Sequence, residues 1–369
     1  MLINSIQNKT VLVRVGFDVP DLEHVDRIKS CFATIKLLVD NNNKVVLISK
    51  WGRPKNADEN FSLRNLKYLI QNLLLDRVSE KCHLTFLNQF ESWEEVSKFI
   101  KNNAENNNIF LLENIYFNKD EFSTDQYVRE ALASKYASLA NVFVDECFIS
   151  SHRLEATNAE IKKLLPHALG LNYLSEIDNL EYFVQKPAKP FILLLGGAKL
   201  DTKIPLLNNL LPKVDQVILG GIICFPFLKV LHPEYEISVN PEELDLAKAM
   251  LKKYSDKIIL AKDFVPSITS AKDVGPESIK YFKELLGQAG SVFWNGPLGV
   301  YEDPQFATGT LEIANFLSEQ HNIHKVIGGG DTGAAIPENI LKKFNFVSQG
   351  GGATLEFLSK FYLNLQLTR

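Results

Sequence analysis

The chain has 369 residues, 46% of them hydrophobic, and a formal net charge of −4. That length fits about two domains with ordinary buried cores, and the charge balance supplies no global basic field for nucleic acid. Cys31, Cys82, Cys147 and Cys224 lie too far apart for CxxC or metal-ligand spacing and read as reduced, buried thiols. The start, MLINSIQNKT, has no basic stretch leading into an apolar run, and no segment reaches the roughly 18 apolar residues of a membrane helix. A cytoplasmic protein without a membrane partner is the expectation.

In chain order, strand-length apolar runs fall at 10–15 (TVLVRV), 44–49 (KVVLIS), 84–87 (LTFL), 109–114 (IFLLEN) and 142–146 (VFVDE). Helix-like stretches near 27–40, 62–75, 92–102 and 125–139 separate them. The second half repeats the alternation, with strands predicted at 191–197, 216–221, 257–262, 291–296, 325–330 and 346–351. This pattern predicts an α/β chain of two doubly wound parallel-sheet domains. The helical stretch Asn172–Val184, followed by Pro187 and Pro190, marks the junction. The expected divisions are residues 1–171, a linking helix over 172–186, and a second domain over 187–352.

Ligands bind at the carboxyl ends of strands in open α/β sheets. In the second half those ends carry Gly196-Gly197-Ala198-Lys199, Gly220-Gly221, Asn295-Gly296-Pro297, Gly328-Gly329-Gly330-Asp331-Thr332 and Gly350-Gly351-Gly352. So many glycine junctions in one domain point to backbone that approaches a ligand closely, and several lead into helix N-termini, which favour phosphate. Lys199 and Lys203, four apart, share a helix face and suit phosphate oxygens. Asp331 suits magnesium, and Thr332 suits a helix cap or a phosphate contact. The reading is a nucleotide site for ATP or ADP with Mg2+. The stretch GGGDTG also matches GxGxxG, but it follows a late strand, and the next strand ends in Ser348-Gln349-Gly350, with no acid for a ribose. A dehydrogenase is therefore not expected.

The first half ends its strands with cations: Arg14, Lys50, Arg53, His152 and Arg153, with Arg27 opening the first helix. Such a set suits a small anionic substrate. One domain for a nucleotide and one for an anion describe a kinase that closes on its substrates.

Taken together, VLVRVGFDVP, SKWGRPK, LLENIYF, SHRLEAT, LLLGGAKLDTKI, WNGPLGVYE, VIGGGDTGAAI and SQGGGATLEFL run in order over nearly the whole chain. They resemble the phosphoglycerate kinase family. The resemblance implies an acid-binding first domain, a nucleotide-binding second domain and a tail, 353–369, that packs back on the first. It implies nucleotide contacts from Gly197, Ala198, Lys199, Lys203, Gly220, Asn295, Pro297, Val300, Glu302, Gly329, Gly330, Asp331 and Thr332. Lys199 and Lys203 would flank the transferring group, and Asp331 would lie near magnesium. The amides of Gly351 and Gly352 would lie beside the transfer point. Arg27 would stabilise transfer at the acid carboxylate. Asp18, Arg27, Lys50, Arg53, Tyr116 and Arg153 would face the acid. A monomer is expected.

The acid site departs from the family pattern. RVDFNVP is RVGFDVP here, which places Gly16 and Asp18; the histidine of SHLGRP is Lys50; the arginine of LENLRF is Tyr116; the second histidine of HRAHAS is Glu155. A lost arginine removes a charge-assisted contact of about 1.5–3 kcal/mol. The segment 262–275 is also shorter than in the family and is expected to stay clear of the phosphate channel. Three readings follow: the family reaction, a kinase for another small carboxylate, or a non-catalytic nucleotide-binding regulator.

Overall fold

A computed structural model describes residues 1–19, 25–103, 108–197, 203 and 207–360, and the chain divides into two units at Ile177/Asp178. Residues Ala198 and Lys199 and the tail 361–369 lie outside the described residues.

The first unit is built on β1 (Thr10–Arg14), β2 (Lys44–Ile48), β3 (His83–Leu87), β4 (Asn108–Leu112), β5 (Val142–Asp145) and β6 (His167–Leu169). All pair in parallel, in the order β3-β4-β2-β1-β5-β6. Alternate residues feed two cores. Val11, Val13, Val45 and Leu47 pack with Phe32, Ile35, Ile70 and Leu74 of the helices Phe32–Asp40 and Lys67–Arg77. Leu12, Val46, Phe110 and Phe143 pack with Val96, Ile100, Leu132 and Tyr136 of Trp93–Asn102 and Gln126–Ala137. Burial on both faces explains why these strands read as unbroken apolar runs. Each such side chain contributes about 1.5–3 kcal/mol when fully buried.

The second unit contains β7 (Phe191–Leu195), β8 (Gln216–Leu219), β9 (Ile258–Leu260), the short strands β10 (Phe264–Val265) and β11 (Asp273–Val274), then β12 (Ser291–Asn295), β13 (His324–Gly328) and β14 (Phe346–Ser348). Its main sheet is parallel, in the order β14-β13-β12-β7-β8-β9. Counted along the chain that is the 3-2-1-4-5-6 order of doubly wound folds, and its topology reverses between β7 and β12. In the first sheet the reversal lies between β1 and β5. A ligand crevice is therefore expected beyond the carboxyl ends of each of these strand pairs.

The linking helix expected over 172–186 runs over Leu171–Gln185, and the division at 177/178 falls inside it. Its first turn is capped from β5's end: Asn172 N and Tyr173 N donate to the Glu146 carboxylate, as does Thr34 Oγ1. The helix Gly352–Lys360 belongs to the second unit, not the first. Lys213 Nζ donates to Ser359 O (3.0 Å), and Leu358 lies beside Phe183, Phe191 and Leu210. Finally, the shortened segment 262–275 folds as the antiparallel β10–β11 pair and does reach the nucleotide candidates. Lys272 O accepts from Val300 N (2.8 Å), and Val274 lies 3.6 Å from where a Cβ on Gly220 would stand.

Glu121 is a buried carboxyl in this frame. Its Oε1 accepts from Thr157 N (3.2 Å) and Thr157 Oγ1 (2.6 Å), while Oε2 has no hydrogen-bond partner among the described residues. Burial pushes its pKa up to about 8, with the Arg14 charge opposing. The folded state thus holds this proton more tightly than the unfolded chain. Stability contributed by the neutral form is present below the ordinary carboxyl range and is lost as pH rises through about 8. Glu121→Gln, which stays neutral, is expected to lose less melting temperature between pH 5 and pH 8 than the parent. Scanning calorimetry across that range checks this, and parallel profiles would count against it.

Candidate functional site

The crevice of the second unit forms where β7 and β12 touch end to end. Gly196 N donates to Asn295 O (3.0 Å) and Gly197 N to Pro297 O (2.7 Å), carrying the ladder past both strands. A Cβ on Gly196 would overlap Pro297 O, and one on Gly296 would overlap Gly196 O. Gly197 and Gly296 also have positive φ, +82° and +96°, which side chains rarely adopt. The glycines are thus required by sterics before any ligand is considered.

Lys203 places its ammonium in this junction. Nζ donates to Gly196 O (2.6 Å) and lies 3.1 Å from where a Cβ on Gly197 would stand. On the β13 side, Thr332 Oγ1 accepts from Gly296 N (2.7 Å) and donates to Gly328 O (3.3 Å). Asn295 Nδ2 donates to Gly328 O (2.6 Å). Gly329, at φ +103°, turns the chain into the short helix Gly330–Ala334, on which Asp331 is exposed and Thr332 buried. Across β8, Gly221 comes within 3.4 Å of Gly197 N, measured from an added Cβ, and Gly220 is buried against Leu298.

Gly197, Lys203, Gly220, Asn295, Pro297, Gly329, Gly330 and Thr332 therefore share one network of strand ends. Val300 and Glu302 stand on the exposed loop that follows β12. Gly351 and Gly352 stand at the start of the helix Gly352–Lys360, with nothing within 4 Å of an added Cβ on either. Ala198 and Lys199 fall outside the described residues.

One positioning group escaped the sequence reading. Asp273, on β11, accepts from Val274 N and Gly309 N (2.8 Å each), and so ties the hairpin to the helix Thr308–Glu319 beyond the Val300 loop. Burial pushes its pKa up to about 6. Its only signal was an aspartate before Val-Gly-Pro, which reads equally well as a turn.

In the first unit, the segments that follow β1, β2, β4 and β5 bring together charges that pair with one another. Arg14 and Glu155 are both almost fully buried and form an ion pair through Nη2 and Oε2. Tyr116 OH donates to Glu155 Oε1 and accepts from Arg153 Nη1 (2.8 Å), and Arg153 stands 3.6 Å from the same carboxylate. Burial raises the Glu155 pKa, but Arg14, Tyr116 and Arg153 together hold it below the ordinary range. Burial, and then Glu155, pushes the Tyr116 phenol up, so it remains a donor.

Nearby, Lys50 Nζ pairs with Asp18 Oδ2 and lies 5.3 Å above the Tyr116 ring. Burial lowers the Lys50 pKa against the pull of Asp18. Asp18 also accepts from Gly52 N (2.8 Å), and its carbonyl accepts from Arg27 Nη1. Gly16 packs beside Arg27: a Cβ there would lie 3.6 Å from Arg27 Cγ. Arg53 is exposed. Asp18, Arg27, Lys50, Tyr116 and Arg153 are thus brought together. The sequence did not reveal that Asp18 and Glu155 take up the charges of Lys50 and Arg14.

This architecture has known counterparts. The sequence profile of phosphoglycerate kinase matches residues 3–360. A phosphoglycerate kinase from Coprothermobacter proteolyticus is 39% identical over 381 residues, covering 96% of this chain and 94% of that protein. The solved phosphoglycerate kinase of Coxiella burnetii superposes with a TM-score of 0.77 at 29% identity, over 97% of this chain and 96% of that one. That of Pyrococcus horikoshii shares the fold with a TM-score of 0.81 at 24% identity, over 96% and 94% of the two chains. The chain belongs to the phosphoglycerate kinase family.

Proposed function

We propose that the chain transfers a phosphoryl group reversibly between 1,3-bisphosphoglycerate and ADP, giving 3-phosphoglycerate and ATP, with the residues named above. The observation that carries the assignment is the strand-end junction. Lys203 Nζ is held at Gly196 O beside two positive-φ glycines, where it can neutralise phosphate oxygens. Asn295 and Thr332 fix the neighbouring strand ends, and the amides of Gly351 and Gly352, at a helix start, are assigned as further donors. Val300 and Glu302 are assigned to the nucleoside, and Lys199 to the transferring group beside Lys203. In the first unit, Arg27, Arg53 and Arg153 are the cations assigned to the acid. A cytoplasmic monomer completes this reading.

The acceptor is a carboxylate, so no general base is required. Rate comes from alignment and charge neutralisation. Among the described residues no group of three or more His, Cys, Asp or Glu is placed to hold a metal, while Asp331 presents one exposed carboxylate at the β13 junction. That donor set suits Mg2+ arriving with nucleotide phosphates, since magnesium binds through one or two carboxylates plus phosphate oxygens. When bound, the ion supplies charge neutralisation at the phosphates.

A kinase for another small carboxylate is the second reading, favoured by the Asp18–Lys50 and Glu155–Arg14 pairs. A coupled assay with ATP and 3-phosphoglycerate tests the first: turnover supports it, and nucleotide binding without turnover favours the second reading or a non-catalytic nucleotide-binding regulator. Arg27→Ala is expected to lower turnover at least about hundredfold, because it removes a charge directed at the reacting carboxylate. A fully active variant would sink its catalytic assignment. Thr332→Val leaves the buried Gly296 N–H without its acceptor and is expected to weaken ADP binding about tenfold by calorimetry. Unchanged affinity would remove Thr332 from the site.

A further inference from the structure

We infer that Glu155 is a specificity-determining residue that acts as a built-in anion in the acid site and suppresses selection for the acid's distal phosphate. This rests on the proposed reaction and names its determinant. The two carboxylate oxygens face different groups. Oε2 meets Arg14, which is buried. Oε1 meets Tyr116 OH and, at 3.6 Å, Arg153 Nη1. A carboxylate serving only as counter-ion to Arg14 would need no contact with Tyr116 or Arg153, both of which stand among the substrate candidates. Arg153 is the cation that matters, because its side chain remains 25% exposed whereas that of Arg14 is 1% exposed. Its guanidinium is already engaged by the phenol and the carboxylate.

A phosphate dianion approaching Arg153 therefore meets a cation that is partly neutralised by the Glu155 carboxylate behind it. Lys50 offers little compensation, because Asp18 already pairs with it. Recognition of the reacting carboxylate is separate, since Arg27 makes its contact with the Asp18 carbonyl and not with Glu155. The consequence is a site that reads the carboxylate end of an acid and gains little from a distal phosphate.

The measurement compares the KM for 3-phosphoglycerate with the inhibition constant of D-glycerate, which has the carboxylate but no phosphate. In the parent protein the two constants are expected to lie within about tenfold of each other. Glu155→Gln is expected to lower the KM for 3-phosphoglycerate about tenfold, the scale of one charge-assisted contact, and to leave the glycerate constant and the KM for ATP within about twofold. Because Glu155→Gln strips Arg14 of its buried partner, Arg14→Met combined with Glu155→Gln removes both charges, and the same split is expected. A parent that prefers 3-phosphoglycerate over glycerate by more than about tenfold overturns the inference without any variant. So does a folded variant in which both acids tighten equally or neither tightens. Absence of parental turnover at saturating acid counts instead against the proposed reaction.

Discussion

The second unit depends on two parallel strands that continue to touch after both have ended. β7 and β12 are adjacent although a long stretch of chain separates them, because the sheet's winding reverses there. The reversal sends the two following segments to opposite faces and opens a crevice between them. Here the crevice is spanned at its base by the Gly196–Asn295 and Gly197–Pro297 hydrogen bonds. No side chain fits at Gly196 or Gly296, so the space beside them is bounded by backbone, and Lys203 can bring a charge to its edge. Chemistry that needs amides and one ammonium close together is thus built from strand geometry.

The first unit, wound in a different order, gives a different surface. Its strand ends carry long charged side chains, and the buried ones depend on one another. A buried ion pair contributes little net stability, but removing one partner is costly because the other is left charged in a poor solvent. Arg14 illustrates this: its Nη1 has no hydrogen-bond partner among the described residues, and Glu155 supplies the carboxylate on Nη2. Burial works against its charge, but the surrounding acidic groups, Glu155 first among them, together hold the guanidinium pKa above its usual range. Loss of Glu155 would be felt by the fold and by the site together.

The sheets were legible because strands buried on both faces must be apolar throughout, and eleven of the predicted runs became strands. β6, β10 and β11 were missed because His167–Leu169, Phe264–Val265 and Asp273–Val274 are too short to show a period. The glycine junctions were legible for a steric reason, since strand ends in contact exclude Cβ. The charge pairs were not. Glu155 is 141 residues from Arg14 and Asp18 is 32 from Lys50. The strand-end rule places such groups near one crevice but does not say which partner takes up which charge. Asp18 therefore read as a substrate contact, although its carboxylate serves Lys50 and the Gly52 amide. The end of the second unit misled for a similar reason: the amphipathic helix Gly352–Lys360 announces a buried face without naming the surface that covers it.

The manner of the acid site's departure from its family bears on what the chain does. Uncoordinated loss of function leaves buried charges without partners, and each costs several kcal/mol. Set against the family pattern read from the sequence, four of the five altered positions come in matched sets, Gly16 standing apart: Lys50 and Asp18 pair with each other, and the Tyr116 phenol donates to the Glu155 carboxylate. Each new charge has a partner of opposite sign or a donor. Meanwhile the nucleotide junction keeps the glycines that its strand contact requires, together with Lys203, Asn295 and Thr332. A backbone-built site can change only by changing the sheet, whereas a site built from side-chain charges can be rewired pair by pair while the fold stays intact. Change that is compensated charge by charge within the second kind of site is what retuned recognition of the acid would leave behind.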